Sequence, residues 1–594
     1  MELVYLWIEK YKNIENQEFN FSSRFECKYI VDTNKLTIDK KNNIVNIFPN
    51  NINITAIVGE NGSGKSSILE LLFTRYNEEK VFFIFYDKDN NQFLSLGTKS
   101  DFNVNIVDDR LKEIQFNAIE CLPNTKAIYY SNILNKNDLY LQEFLVPHTY
   151  THTVNISTSH MLSQMKLIET NLQGGWNKSN TGFDKIYRSF EIQQIQNAII
   201  LLQDKVVQIP FELPKKLIIR NINFKSFIEN AKNKFENTNY RRILDVIEKN
   251  NDSNTIFKNY LSTNLIISLL LENINSNNPI LDELLNIVLN QKMSNYLEDF
   301  YANVKNSLYQ HQFTFNGELV DASYIDLFFD LADEILGTLD KQSNLSTDSY
   351  LLELNIQDTN FGFLKAYEKL IQQSEYFWDI SWRGLSSGEE SFLYQFSRLY
   401  NLKNNYKDDP YKNLIVGNGI AENLIILIDE GEITLHPEWQ KKYISYLVDF
   451  LEKNFSQNIH LILTTHSPFI LSDIPKQNLV FLKNGEQVEI DIETFGANIH
   501  TLLAHGFFMN NSLIGEFAKN KIQNVIDILN EENPSIEYKD FVKNIIDSIG
   551  EPFLKNKLQE MYDRVFLDDI ERNKKIRTLQ REIEKLKNVD NSQE

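Results

Sequence analysis

Residues 53–72 read Asn53-Ile54-Thr55-Ala56-Ile57-Val58-Gly59-Glu60-Asn61-Gly62-Ser63-Gly64-Lys65-Ser66-Ser67-Ile68-Leu69-Glu70-Leu71-Leu72. From Gly59 to Ser66 the pattern G-x-x-x-x-G-K-S is complete, which is the spacing of a phosphate-binding loop. The flanks agree with it. Ile54, Ala56, Ile57 and Val58 predict a buried strand, and Ile68, Leu69, Leu71 and Leu72 recur at helical spacing. Strand, glycine loop and helix in that order aim successive backbone N–H groups and a helix N-terminus at one anion. Asn61, Gly62, Ser63, Gly64, Lys65, Ser66 and Ser67 are therefore the expected phosphate-binding residues. Lys65 reaches the β- and γ-phosphates in such a loop, and the Ser66 hydroxyl ligates Mg²⁺. A chance glycine turn before a helix does not account for both flanks. The cofactors expected are a nucleoside triphosphate and Mg²⁺.

Composition narrows the context. A chain of 594 residues exceeds one core and suggests two or three domains of roughly 100–200 residues each. Sixty basic against 81 acidic residues give a net charge of −21, so the overall field repels nucleic acid and argues against a general DNA binder. The two cysteines, Cys27 and Cys121, form no disulfide framework and have no metal-ligand spacing. Glu2, Glu9 and Lys10 interrupt the first apolar run, unlike a signal peptide. No uncharged apolar stretch approaches the ~18–20 residues of a membrane span. The expectation is a cytoplasmic protein with no membrane partner.

Along the chain, residues 3–8 read as a first strand, 11–14 as a turn, and 17–21, 81–86 and 127–130 as further strands. Strands around a P-loop helix indicate an α/β domain. Residues 185–206, 225–250, 281–309 and 324–339 show helical apolar spacing, cut by Pro210, Pro214 and Pro279. No unbroken heptad pattern runs through them, so a compact helical insertion is expected rather than a coiled-coil arm. Helices are expected again at 513–529, 538–549, 552–564 and 568–587. In the last of these Ile570, Ile576, Leu579, Ile583 and Leu586 form a stripe, able to dock on the chain's own domain or on a partner.

Three further stretches carry chemistry. Leu385-Ser386-Ser387-Gly388-Glu389-Glu390 opens an apolar helix at 392–399. That is a second helix N-terminus suited to phosphate, although a simple cap explains the letters equally well. Leu424-Ile425-Ile426-Leu427-Ile428 ends in Asp429-Glu430, a buried parallel strand with two carboxylates at its ligand-binding end. Asp429 suits the Mg²⁺ shell and Glu430 the general base that orients water. A solvated acidic turn is the bland alternative, disfavoured beside a P-loop. The strand at 460–465 ends in His466-Ser467-Pro468, so His466 is placed to reach a γ-phosphate, whereas a lone histidine is more often structural. His148, His152 and His160 lie in a polar Thr/Ser-rich loop and read as surface or structural residues.

With the P-loop, L-S-S-G-E, the apolar run ending in Asp429-Glu430, and T-T-H-S-P in this order, the chain resembles the ABC-type ATPases of the SMC/RecF/OLD group. The resemblance covers roughly 1–145 and 375–490. It implies an α/β fold with an ABC-type (SMC/RecF-like) head in two parts, 1–145 and 376–490, a helical insertion at 146–375 and a helical C-terminal region at 491–594. In that group the signature residues, here Ser386, Ser387 and Gly388, complete the ATP site of the opposite subunit. One P-loop and one signature per chain then imply a head-to-tail homodimer or a higher homo-oligomer, with His466 as the switch histidine. Gln142, Ser131 and Asn132 are all candidates for the Q-loop position.

The loop Gly431-Glu432-Ile433-Thr434-Leu435-His436-Pro437-Glu438-Trp439-Gln440 departs from the transporter pattern and looks like the L-H-P-x-W-Q version of prokaryotic defence ATPases. Together with residues 381–389, 464–473 and 494–503, it is similar to the PtuA-like ATPases of Septu and retron anti-phage systems. ATP hydrolysis is expected, at a turnover that can be slow, and no nuclease centre of its own is expected, since the residues offer no HNH-like His/Asn/His constellation with metal spacing. The resemblance implies a separately encoded HNH nuclease of the PtuB type as partner and, in retron versions, a reverse transcriptase with its RNA–DNA product. The competing readings are an OLD-like defence ATPase, a SMC/RecF-type ATPase acting directly on DNA in repair, and a nucleotide-sensing scaffold without appreciable turnover. OLD nucleases need a Toprim glutamate and a spaced acidic pair, and residues after Asp491 offer mostly helical pattern. The acidic balance and the lack of coiled-coil arms weigh against the repair reading.

Overall fold

The structure is a computed structural model that describes residues 1–41, 47–73, 81–97, 103–106, 111, 114–134, 150–164, 183–205, 209, 211–221, 313–315, 318–320, 351–356, 364, 367–368, 378–403, 415–416, 419–507, 514–531, 534–567 and 576–581. The chain divides into two units, Met1–Leu502 and Leu503–Glu594.

The first unit is built on a seven-stranded sheet in the order β11 (Tyr150–Asn155), β10 (Leu122–Ser131), β19 (Asn423–Asp429), β20 (Asn458–Thr465), β5 (Ile52–Gly59), β21 (Leu479–Lys483) and β22 (Glu486–Val488). All neighbours from β11 to β21 are parallel, and β22 closes the edge antiparallel to β21. Every residue of β19 is buried, as is all of β20 after Asn458. Burial on both faces is why these strands read as unbroken apolar runs rather than alternating ones.

A five-stranded sheet follows the order β2 (Ile14–Asn20), β1 (Glu2–Tyr11), β6 (Val81–Asp87), β7 (Gln92–Gly97) and β9 (Gln115–Ala118), and a smaller sheet joins β3 (Phe25–Ile30), β4 (Lys35–Lys40) and β8 (Asn103–Ile106). Strand β1 feeds two cores. Leu3, Leu6 and Ile8 pack with Ile68, Leu69 and Leu72 of the P-loop helix α1 (Lys65–Phe73), whereas Val4, Tyr5 and Trp7 pack with Phe25, Tyr29 and Leu36. The P-loop helix is thereby clamped between the two larger sheets.

The stretch 146–375, expected to be a helical insertion, is mixed in its described part. β11 extends the main sheet, and β12 (Lys216–Asn221) pairs antiparallel with both β15 (Leu351–Asn355) and β16 (Trp378–Trp382). A six-residue segment such as Lys216–Asn221, with Leu217, Ile218 and Ile219 as its apolar run, is too short for periodicity to separate strand from helix. Two short hairpins complete the strands, β13 (Phe313–Phe315) with β14 (Glu318–Val320) and β17 (Ile415–Val416) with β18 (Gly419–Ile420). The helix expected at 185–206 is α2 (Phe183–Gln203), packed along α3 (Ser387–Asn401). Buried Arg398 of α3 donates to Gln194 Oε1 of α2 at 2.6 Å and to the Ile156 carbonyl at 3.1 Å. The helices expected at 225–250, 281–309 and 324–339 lie outside the described residues. Two further helices in this unit are α4 (Pro437–Asn454) and α5 (Pro468–Ser472).

His460 ties the two larger sheets together. Its Nδ1 accepts the Leu3 N–H at 3.0 Å, and its Nε2 lies 3.0 Å from Thr55 Oγ1. The Thr55 hydroxyl already donates to the Phe21 carbonyl at 2.9 Å, so the ring proton sits on Nε2 and the imidazole is neutral. Burial lowers its pKa to about 3. An unfolded histidine takes up a proton near pH 6.5, so between that value and about 3 the unfolded state binds more protons, and stability falls as pH falls, by at most about 1.4 kcal/mol per pH unit. The drop in thermal midpoint between pH 7 and pH 5 should therefore be larger for the wild type than for His460→Gln. An identical drop in the two proteins would contradict this role.

The second unit holds α6 (Glu516–Asn530), α7 (Lys539–Ser548) and α8 (Pro552–Phe566), close to the expected helices. Val525, Ile528, Leu529, Val542, Ile546, Leu558 and Tyr562 form their core, while Phe517 and Phe553 face solvent. Of the stripe expected at 568–587, Ile576 and Leu579 are exposed, and the remaining members lie outside the described residues. No described helix is long and apolar enough to cross a membrane.

Candidate active site

The parallel register brings the chemistry to one sheet edge. Ser131 pairs with Asp429, Asp429 with Thr464, and Thr465 with Val58. The C-terminal ends of β10, β19, β20 and β5 thus meet where open α/β sheets bind ligands.

The P-loop leaves β5 and turns into α1 through Gly62 (φ 79°) and Gly64 (φ 102°), backbone conformations that favour glycine. Asn13, in the β1–β2 turn, donates its side-chain amide to the Gly62 carbonyl at 2.9 Å and braces the loop from outside. Asn61 and Gly62 face solvent, Ser63 is buried, and Ser67 is half-buried at the helix start. Lys65 Nζ donates to the carbonyls of Gly59 and Glu60 at 3.1 and 3.0 Å. Burial lowers its pKa, opposed by the charges of Glu430, Asp429 and Glu432. A cation held over the loop, with its pKa sustained by three acids, is placed for a phosphate.

Ser66 and Asp429 come from different elements, yet the Ser66 hydroxyl donates to Asp429 Oδ1 at 3.1 Å. A hydroxyl and a carboxylate side by side are hard oxygen donors of the kind Mg²⁺ takes, with water and phosphate completing its shell. The residues present therefore fit MgATP. The Thr464 hydroxyl donates to the same Asp429 oxygen at 2.6 Å and accepts the Glu430 N–H at 3.0 Å. Burial raises the Asp429 pKa against the pull of those hydrogen bonds.

Glu430 has φ 48°, uncommon for a residue with a side chain. Such a conformation costs on the order of 1–3 kcal/mol and persists only where its surroundings over-determine it. The turn carries the Glu430 side chain out of β19 towards His466, whose Nε2 stands 3.3 Å from Glu430 Oε1. That contact lowers the Glu430 pKa despite partial burial. An ionised carboxylate beside a histidine, one residue beyond the candidate metal ligand Asp429, can order a water for attack on a phosphorus atom.

Several residues of the site carried no clear sequence signal. Glu432 is 3% exposed and accepts the Thr465 hydroxyl as well as the His466 N–H, the latter at 3.2 Å. Burial pushes its carboxyl up to about 7, against those hydrogen bonds. Gln440 donates to the carbonyls of Leu435 (3.0 Å) and Glu432 (3.4 Å) and accepts the Ser467 hydroxyl at 2.8 Å. His436 caps α4, its Nδ1 accepting the Glu438 N–H at 3.2 Å, with Pro437 at the first helical position. The repeated threonine at the end of β20 and the L-H-P-x-W-Q run were the available clues.

Ser386 caps α3 in a capping box with Glu389. Ser387 begins that helix, and Gly388 lies against the loop after Asp429, where a Cβ would stand 2.8 Å from the Thr434 carbonyl. The close neighbours of Gly388 are thus Thr434 and Trp439 rather than the P-loop of the same chain. Asn132 donates to Ser391 Oγ of α3 at 2.6 Å and accepts the Thr158 hydroxyl at 3.0 Å, so this Q-loop candidate joins the end of β10 to α3. Ser131, its neighbour, accepts the Ile133 N–H at 3.3 Å. Gln142 and His148 lie outside the described residues, as does the side chain of His152. The peptide group of His160 sits in a local turn with Ser157 and Ser163.

Comparison with known proteins agrees with this chemistry. The chain is 38% identical over 106 residues, 17% of each chain, to a protein named Retron Ec83 probable ATPase from Escherichia coli. It is 33% identical over 106 residues to Retron Vc95 probable ATPase from Vibrio cholerae serotype O1 biovar El Tor, covering 17% of this chain and 18% of that protein. It is 30% identical over 173 residues to Septu protein PtuA from Bacillus thuringiensis, covering 27% of this chain and 38% of that protein. The matched segments therefore span well under half of each relative. The model of the AAA ATPase domain family matches residues 1–471, a span that holds the P-loop, Asp429, Glu430 and His466, and the chain belongs to that family.

Proposed function

We propose that this chain is the ATP-hydrolysing subunit of a cytoplasmic anti-phage defence assembly, and that its ATP state governs an HNH nuclease carried by a separate protein. The observation that carries the reading is the constellation Lys65, Ser66, Asp429, Glu430 and His466 at one sheet edge, in a chain similar to ATPases named for retron and Septu systems. In this proposal the head is ABC-type and works as a homodimer or higher oligomer, with Ser386, Ser387 and Gly388 completing the ATP site of the partner copy. That assignment is supported by the surroundings of Gly388, whose near contacts are Thr434 and Trp439 and not its own P-loop. A retron reverse transcriptase with its RNA–DNA product is a further partner in systems that encode one. The net charge of −21 disfavours tight unaided DNA binding, and exposed Phe517 and Phe553 offer apolar anchors for a protein partner.

The test uses the purified full chain with Mg²⁺ or Mn²⁺ on single-stranded DNA, double-stranded DNA and RNA. Alone it should cut none of them. Adding the HNH protein encoded beside it should create cleavage whose rate changes with ATP, and Lys65→Ala should remove the ATP response. Robust cleavage by the chain alone, abolished by a point change outside the ATP motifs, would replace this reading with that of a nuclease. ATPase activity stimulated by DNA without any partner protein would favour the repair-type alternative.

A further inference from the structure

We infer that Glu432 is a positioning residue for ATP hydrolysis: its buried carboxylate pins the end of β20 so that the His466 ring meets Glu430. The inference rests on the ATPase reading above and deepens it.

Successive side chains of a strand point to opposite faces. At the end of β20 this splits two adjacent threonines between two acids. Thr464 reaches Asp429, and Thr465 reaches Glu432. The first pair sets the metal-binding carboxylate and, through the Glu430 N–H, the start of the strained turn. The second sets the chain just beyond the strand, because Glu432 also accepts the peptide N–H of His466 itself. A side-chain acceptor therefore fixes the backbone from which the switch histidine projects. Gln440 supports the arrangement from α4, holding the Glu432 and Leu435 carbonyls with its amide nitrogen and Ser467 with its oxygen. Residues 465–467 are thus fastened on consecutive positions to the loop and helix that come after Glu430.

The 3.3 Å approach of His466 to Glu430 depends on this fastening, since neither ring nor carboxylate is fully enclosed. Removing the Glu432 carboxylate would take the acceptor from the buried Thr465 hydroxyl and from the partly buried His466 N–H, and they would regain one by moving. A shift of about 1 Å at a catalytic group can lower a rate on the order of 10²-fold. Nucleotide affinity resides in the P-loop, with which Glu432 shares no hydrogen bond among the described residues, and its charge acts on Lys65 less than those of Glu430 and Asp429.

The measurement is kcat and ATP Kd, side by side, for wild type, Glu432→Gln, Glu432→Ala and Thr465→Val, with thermal midpoints as a check on folding. Glu432→Gln keeps an acceptor oxygen of the same reach and should retain turnover within several-fold of wild type. Glu432→Ala should lose at least ~10-fold in kcat while its ATP Kd stays within about threefold, because positioning rather than binding is lost. Thr465→Val keeps the Glu432 acceptor of the His466 N–H but loses the hydroxyl that donates to Glu432 and accepts the Ser467 N–H, and it should also lose turnover without a matching change in Kd. Equal kcat for Glu432→Ala and wild type overturns the inference, and so does a loss in Glu432→Ala that appears equally in Kd. If Glu432→Ala does not fold, Thr465→Val decides alone, and its wild-type turnover is the contrary result. A wild-type protein with no turnover at all would instead count against the ATPase reading itself.

Discussion

Glu430→Gln should bind ATP as the wild type does and turn it over at least ~10²-fold more slowly, the scale of losing a general base. The substitution preserves the shape of the side chain and its reach to His466. It removes the negative charge that His466 sustains and with it the ability to take a proton from an attacking water. Asp429, Ser66 and Lys65 are untouched, so the phosphate and metal contacts stay. On the proposed homodimer reading, the ATP-trapped variant should also run as a dimer in light scattering, because two heads closed around nucleotide would reopen only on hydrolysis. Single-turnover rates separate the effect from product release. Equal rates for variant and wild type would remove Glu430 from the chemistry.

Lys65→Ala should act one step earlier, raising the ATP Kd by roughly 10–100-fold, as expected when a charge-assisted hydrogen bond of about 1.5–3 kcal/mol is lost. In the structure Lys65 Nζ rests on two loop carbonyls, neutral acceptors that a phosphate outcompetes by charge. The same lysine balances three nearby acids, so its loss leaves Asp429 and Glu430 facing a triphosphate without a counter-charge. Titration of a fluorescent ATP analogue, with and without Mg²⁺, measures the change. An unaltered Kd would refute the P-loop role of Lys65.

Much of this site was legible in the residues because it uses motifs whose spacing is local. Gly59 to Ser66 specify a loop between a strand and a helix, and Asp429-Glu430 close an apolar run that only a doubly covered strand needs. The helices α2, α3, α6, α7 and α8 were legible for the same reason, since an apolar stripe at a period of 3.6 is a local property, whereas α4 was not read from the sequence. What the residues did not reveal was pairing across long separations. That β20 lies between β19 and β5, rather than beyond them, is a matter of sheet order, and it alone makes Thr464 and Thr465 partners of Asp429 and Glu432. The strand Tyr150–Asn155 sat within a stretch read as helical because its partner β10 begins well before it in the chain and supplies the pairing. Glu432 looked like one more acid in an acidic loop. Its burial, its two donors and its raised carboxyl pKa exist only once α4 and β20 enclose it. Sequence alone determined which groups are candidates for phosphate chemistry, because that depends on side-chain type at short spacing. Tertiary structure decided which of them meet and which are held still, because hydrogen bonds between Glu432, Thr465 and the His466 backbone depend on strand order and burial that no local pattern records.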